Sequence, residues 1–149
     1  MSDDIFDLSS NISEDIIDGV ELITPHDIAI NEYKKFTDCF DGNNQYVLIE
    51  FYDPNCSPCL EYDAIFVEAM NAIKDNDDIQ SCQINLRDIE VDNISYQKIL
   101  TYIPNHDEII YPNTILYYHN EVQDTLKGLV SFDEVMKWLN GYIQSKVVC

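Results

Sequence analysis

The chain has 149 residues, 46% of them hydrophobic, and Asp and Glu outnumber Lys and Arg by 28 to 8, a formal charge of −20. That length makes one domain with enough apolar material for a core. The charge argues against nucleic acid or an anionic membrane as a direct partner, because phosphate contacts need clustered Lys and Arg, and no apolar run is long enough for a membrane span.

Residues 1–19 are acidic with no basic side chain and read as a flexible N-terminal extension. A short amphipathic docking segment through Ile5, Phe6, Leu8, Ile12, Ile16 and Ile17 is the other reading. The folded domain is expected over 20–145, with 146–149 as a tail. Met1-Ser2-Asp3-Asp4 lacks the basic and apolar regions of a signal peptide, and Lys146-Val147-Val148-Cys149 is neither an ER-retention nor a prenylation signal. The expected location is therefore intracellular and cytoplasmic. The wealth of Ile, Asn, Asp and Tyr beside four glycines hints at an AT-rich genome, a protist's or a large DNA virus's, and in the latter case the virion is a second expected location.

Val20 to Ile23 is a short strand candidate. Thr24-Pro25-His26-Asp27 then supplies an N-cap, a first-turn proline and a first-turn acid. They predict a helix with Ala29, Tyr33, Phe36 and Phe40 on its apolar face, ended by the turn Asp41-Gly42-Asn43-Asn44. Cys39 lies on that helix as a packed or idle thiol. The apolar, β-branched and aromatic run Tyr46 to Tyr52 reads as a central strand buried on both faces. Glu50 interrupts it, and a buried carboxylate is costly unless protonated, hydrated or paired. Lys74 and Lys98 are candidate ion-pair partners.

After Asp53-Pro54-Asn55 come Cys56-Ser57-Pro58-Cys59, and from there Tyr62, Ile65, Phe66, Ala69, Met70 and Ile73 recur at the spacing of an amphipathic helix. At such a helix start, unpaired backbone N–H groups and the positive end of the macrodipole favour a thiolate over a thiol at Cys56. Cys59, about one turn deeper, is the less exposed partner, close enough to close a small disulfide. Pro58 fits the first turn, where its missing N–H costs nothing. Two cysteines so spaced also occur in metal sites. A tetrahedral zinc site needs more ligands, however, and His26, His106 and His119 are scattered with no second pair. No cofactor is expected. Metal shared between molecules and an idle pair remain as other readings.

Lys74 to Asp78 is a polar break. Ile79 to Leu86 then alternates, with Cys82, Ile84 and Leu86 on one face and Ser81 and Gln83 on the other, which makes Cys82 a core residue. Arg87 to Asn93 is charged and loop-like, Ile94 to Ile103 has helical spacing, and Pro104 stops it. Past the awkward stretch Pro104 to Tyr111, Thr114 to Tyr118 is a strand that turns at His119-Asn120 into Glu121 to Leu126. Ser131 and Glu134 form a capping box for a last helix carrying Val135, Trp138, Leu139, Tyr142 and Ile143. Cys149 is an idle terminal thiol or an intermolecular disulfide partner.

The string Glu50-Phe51-Tyr52-Asp53-Pro54-Asn55-Cys56-Ser57-Pro58-Cys59 resembles the thioredoxin superfamily, and its Glu-Phe-Tyr-x-Pro lead-in is similar to protein disulfide isomerase domains. The element order βαβαβαββα matches the α/β thioredoxin fold, a mixed central sheet with helices on both faces. Asn55 departs from the usual tryptophan, Leu60 from a lysine and Ser57 from a glycine, and the 104–111 stretch is longer than the family's, an inserted loop near the site.

The resemblance implies a thiol-disulfide oxidoreductase with a redox-active Cys56–Cys59 disulfide, in which Cys56 thiolate attacks a substrate disulfide and Cys59 resolves the mixed disulfide. It implies that Glu50 is a raised-pKa base taking the Cys59 proton through water. It implies a cis peptide at Pro112 that keeps metal from the thiols, and a Tyr111 backbone that bonds substrate in a strand-like manner. Asn55, Leu60 and Asp53 complete the face around Cys56. The implied partners are proteins with disulfides and an electron donor or acceptor, a reductase or an oxidase. The alternative is a thioredoxin-fold binding or structural module whose acidic surface and N-terminal segment engage a basic or oligomeric partner.

Overall fold

Thr24 starts the first helix by a reciprocal cap. Its hydroxyl accepts the Asp27 backbone N–H at 3.1 Å, and the Asp27 carboxylate accepts the Thr24 N–H at 3.5 Å. In the computed structural model, which describes residues 24–86 and 93–143, the order is α1 (Pro25–Phe40), β1 (Tyr46–Tyr52), α2 (Ser57–Ile73), β2 (Ile79–Asn85), α3 (Ile94–Leu100), a 3-10 turn (His106–Glu108), β3 (Asn113–Tyr118), β4 (Glu121–Lys127) and α4 (Phe132–Ile143). The N-terminal extension, the strand expected over 20–23, most of the loop after β2, and the tail with Cys149 lie outside the described residues.

The strands form one sheet in the order β2-β1-β3-β4. β1 runs parallel to β2 and antiparallel to β3, and β3 and β4 make an antiparallel hairpin. At the hairpin turn His119 and Asn120 both adopt positive φ, 51° and 69°, the hand that matches the twist of the flanking strands. Leu116 pairs with Asp124 but Tyr117 with Val122, so Gln123 is an extra residue that bulges β4, an outer strand of the described sheet.

Strand alternation sorts the core into two layers. Val47, Ile49, Phe51, Ile84, Ile115 and Tyr117 pack with residues of α1 and α3 on one face. Tyr46, Leu48 and Leu116 pack with Tyr62 and Phe66 of α2 and Leu139 of α4 on the other. This is the mixed sheet with helices on both faces that the sequence predicts. None of the described helices is long and apolar enough to cross a membrane.

Two expectations need correction. The third helix ends at Leu100 and not at Ile103, because the Tyr102 and Ile103 N–H groups bond to the Ile99 and Leu100 carbonyls and tighten the chain into turns. Ile103 is buried all the same. Cys39 and Cys82 are not separate packed thiols but a disulfide joining α1 to β2, with Cα atoms 6.4 Å apart. Strand alternation places Cys82 on the sheet face that α1 covers, and Cys39 is on the buried side of that helix.

Candidate active site

The site is built where β1 ends. The Asp53 carboxylate accepts the Asn55 N–H at 2.9 Å, and the Asp53 carbonyl accepts the Cys56 N–H at 3.0 Å, which turns the chain out of the sheet. Cys56, still extended, is the N-cap of α2, and its carbonyl takes the first helical bonds, from Cys59 and Leu60. No side chain caps this helix. The Cys56 sulfur is thus carried on the residue beside the first-turn N–H groups, at the positive end of a 17-residue helix.

Cys56 is partly exposed, Cys59 is buried, and both are thiols. The Cys56 thiol donates to the Tyr111 carbonyl oxygen at 3.8 Å. The Tyr111–Pro112 peptide is cis, and Pro112 leads directly into β3, its carbonyl accepting the Gly128 N–H at 2.7 Å. Gly128 has φ 81°, a left-handed conformation suited to glycine, at the end of β4. Burial, followed by the charges of Asp53 and Cys59, pushes the Tyr111 phenol up to about 12, so its ring stays neutral beside the thiols at physiological pH.

Behind the cysteines lies Glu50, only 1% exposed. Burial pushes its carboxyl up to about 7; the Gln83 amide opposes the shift and the Asp63 charge adds to it. Near neutral pH this group therefore exists in both protonation states and can take up or release a proton. Burial also drives the Cys59 thiol up to about 12; the Asp53 backbone N–H partly offsets this, while the Cys56 sulfur and the Glu50 carboxylate add to it. Cys59 holds its proton until a base removes it. Glu50, Cys59, Tyr52, Pro54, Leu60 and Asp63 line a common cavity of about 130 Å³, room for several waters at ~30 Å³ each.

The lysine ion pair considered for Glu50 is not formed. Among the described residues Glu50 has no ion-pair partner, and Lys98 instead lies over the Tyr33 ring, 5.4 Å from its centroid. Gln83 takes that place, its amide nitrogen 2.8 Å from Glu50 Oε1 and 2.9 Å from Asp63 Oδ1. On the other side of β1, Thr114 stands opposite Glu50 and donates its hydroxyl to the Tyr62 phenol oxygen at 3.0 Å. A polar row, Gln83, Glu50 and Thr114, thus crosses three strands.

Of the residues singled out in the sequence, the fold brings Glu50, Cys56, Cys59, Tyr111 and Pro112 to one end of the sheet, with Asn55 exposed on the turn beside Cys56. His119 lies on the β3–β4 hairpin turn, and His106 sits in the 3-10 turn beside Asp107. In the sequence Gln83 reads only as a strand-face residue with no link to Glu50, and Asp63 carries no mark of a site residue. Their signals were the strand register that sets Gln83 opposite Glu50 and the four-residue step from Cys59 to Asp63, one helical turn.

A family model described as Thioredoxin matches residues 27–141. Among solved structures, the oxidised thioredoxin of Plasmodium falciparum is similar with a TM-score of 0.52 at 17% identity, covering 72% of this chain and 90% of that one. A point-mutant thioredoxin of Halobacterium salinarum NRC-1 gives 0.51 at 17% identity over 73% and 83%, and Chlamydomonas reinhardtii thioredoxin f2 gives 0.52 at 16% over 74% and 91%. At these identities the structural likeness speaks for the fold. No curated protein matches the chain.

Proposed function

Because the chain belongs to the thioredoxin family, we propose that it is a thiol-disulfide oxidoreductase acting on protein disulfides through Cys56 and Cys59. The observation that carries this reading is the division of labour between the sulfurs: a partly exposed Cys56 at a helix start, and a buried Cys59 that shares a cavity with Glu50. In the first step the Cys56 thiolate attacks a substrate disulfide, forming a mixed disulfide and releasing one substrate thiol. In the second, Glu50 accepts the Cys59 proton through water, and the Cys59 thiolate attacks the Cys56 sulfur. The Cys56–Cys59 disulfide forms as the second substrate thiol leaves. A dithiol donor then reduces the pair again.

Substrate backbone would lie along Tyr111, whose carbonyl already faces the Cys56 sulfur. Asn55 and the highly exposed Leu60 border the same approach. Pro112, buried between Tyr111 and β3, would keep a metal ion from bridging the thiols.

Insulin reduction by dithiothreitol tests the proposal. Wild type should accelerate precipitation of the insulin B chain, and Cys56→Ser should fall to the uncatalysed rate. Equal, uncatalysed rates for both would sink the enzyme reading and leave a thioredoxin-fold binding module.

A further inference from the structure

Glu50 poses a transport problem for the mechanism just proposed. A carboxylate that takes a proton at every turnover must also lose it, and this one has almost no contact with solvent. Its cavity leads outward to Asp63, an exposed residue of α2. Gln83 joins the two carboxylates through a single amide nitrogen, whose two hydrogens suffice for one bond to each. The titratable groups facing Glu50 are Cys59, Tyr62 and Asp63 from α2 and Tyr52 from its own strand, while β2 and β3 oppose it with neutral Gln83 and Thr114.

We propose that Gln83 and Asp63 are positioning residues for the resolving step: Gln83 fixes Glu50 in the cavity that Cys59 lines, and Asp63 forms the outlet through which the Glu50 proton reaches solvent. The inference rests on the oxidoreductase reading. Cys59–SH gives its proton to the Glu50 carboxylate, and the resulting thiolate forms a bond to the Cys56 sulfur. The bond between Cys56 and the substrate sulfur breaks, and its electron pair leaves with the substrate. Protonated Glu50 passes its proton along the cavity past Asp63 to bulk water, and the departing substrate thiolate takes one back. The substrate disulfide is reduced by two electrons and the cysteine pair is oxidised by two.

The two residues act on Glu50 with opposite sign. The Asp63 charge holds the Glu50 proton on, whereas the Gln83 hydrogen bond favours its release. Loss of each should therefore move the resolving step in opposite directions along the pH axis, which general loosening of the site would not do.

The test uses the full chain and a symmetric aromatic disulfide whose first thiol leaves when Cys56 attacks and whose second leaves when Cys59 closes the pair. Asp63→Asn should shift the acid limb of second-thiol release to lower pH by roughly half to one unit, the low end for a like charge within about 6 Å when one partner is exposed. Gln83→Leu should shift it to higher pH, and first-thiol release should keep its profile in both. Carbon-13 titration of the Glu50 carboxyl should show the same pair of opposed displacements without any turnover. Unmoved midpoints, or midpoints displaced in one direction by both variants, overturn the inference while leaving the enzyme reading intact. If wild type releases no thiol at all, the enzyme reading fails, and the carboxyl titration alone still decides whether the two residues govern Glu50.

Discussion

The protein has two cysteine pairs on different elements, and they have almost nothing in common. Cys56 and Cys59 sit within one helical turn at the start of α2, one partly exposed, both thiols. Cys39 and Cys82 lie 43 residues apart, are joined, and pack against the α1 and α3 layer of the core. The same side chain is thus a free thiol, proposed as the reagent, in one place and a staple in the other. What differs is surroundings: a free helix end, a neighbouring carboxylic acid and an open approach on one side, close apolar packing on the other. Cysteine chemistry follows access and local charge more than the presence of sulfur.

The contrast can be broken by exchanging losses. Cys56→Ser should abolish catalysed insulin reduction while the denaturation curve hardly moves, as measured by precipitation rate and by urea titration. The double change Cys39→Ala with Cys82→Ala should do the reverse. Insulin reduction should hold, and unfolding free energy should fall by about 2–4 kcal/mol, the usual worth of a cross-link that restrains the unfolded chain. A substantial fall in turnover for the double variant would mean that the two pairs communicate.

A smaller effect sharpens the comparison from the acid side. Glu50→Ala should slow second-thiol release by roughly 10²-fold and leave first-thiol release nearly unchanged, since proton transfer by a placed group contributes about 10²–10⁴-fold. Equal rates of second-thiol release in wild type and variant, read in a single-turnover assay, would remove Glu50 from the mechanism.

The last effect is thermodynamic. Glu50 binds its proton more tightly folded than unfolded, so its contribution to stability is complete below about pH 4.5 and is lost as pH rises through about 7. Glu50→Gln, which carries no ionisable group, should therefore gain on wild type between about pH 5 and pH 8. The gain should be about 2–3 kcal/mol in unfolding free energy, and a gap independent of pH would contradict the shifted carboxyl.

How much of this was written in the sequence depends on how far apart the partners stand along it. The junction of β1 and α2 was legible because strand, turn, both cysteines and the helix face are contiguous, so periodicity and spacing report on one another. The capping boxes at Thr24 and Ser131 were legible for the same reason, each closing over three residues. The end of α3 was not, because apolar spacing continues through Ile103 while the hydrogen bonds have already changed to a shorter step. The Cys39–Cys82 bond and the Gln83 bridge were hidden for a different reason. Each joins residues that only sheet register and helix packing bring together, and no local pattern encodes either.

The bulge at Gln123 has a consequence beyond the hairpin. An unpaired sheet margin is a template on which foreign strands polymerise, and the extra residue breaks the even ladder of amides that an incoming chain must match. Glu121 and Lys127 set charges at the two ends of that margin. A strand adding along β4 should therefore meet a mismatched ladder past Val122, and repulsion between copies that each carry −20 should oppose their stacking there.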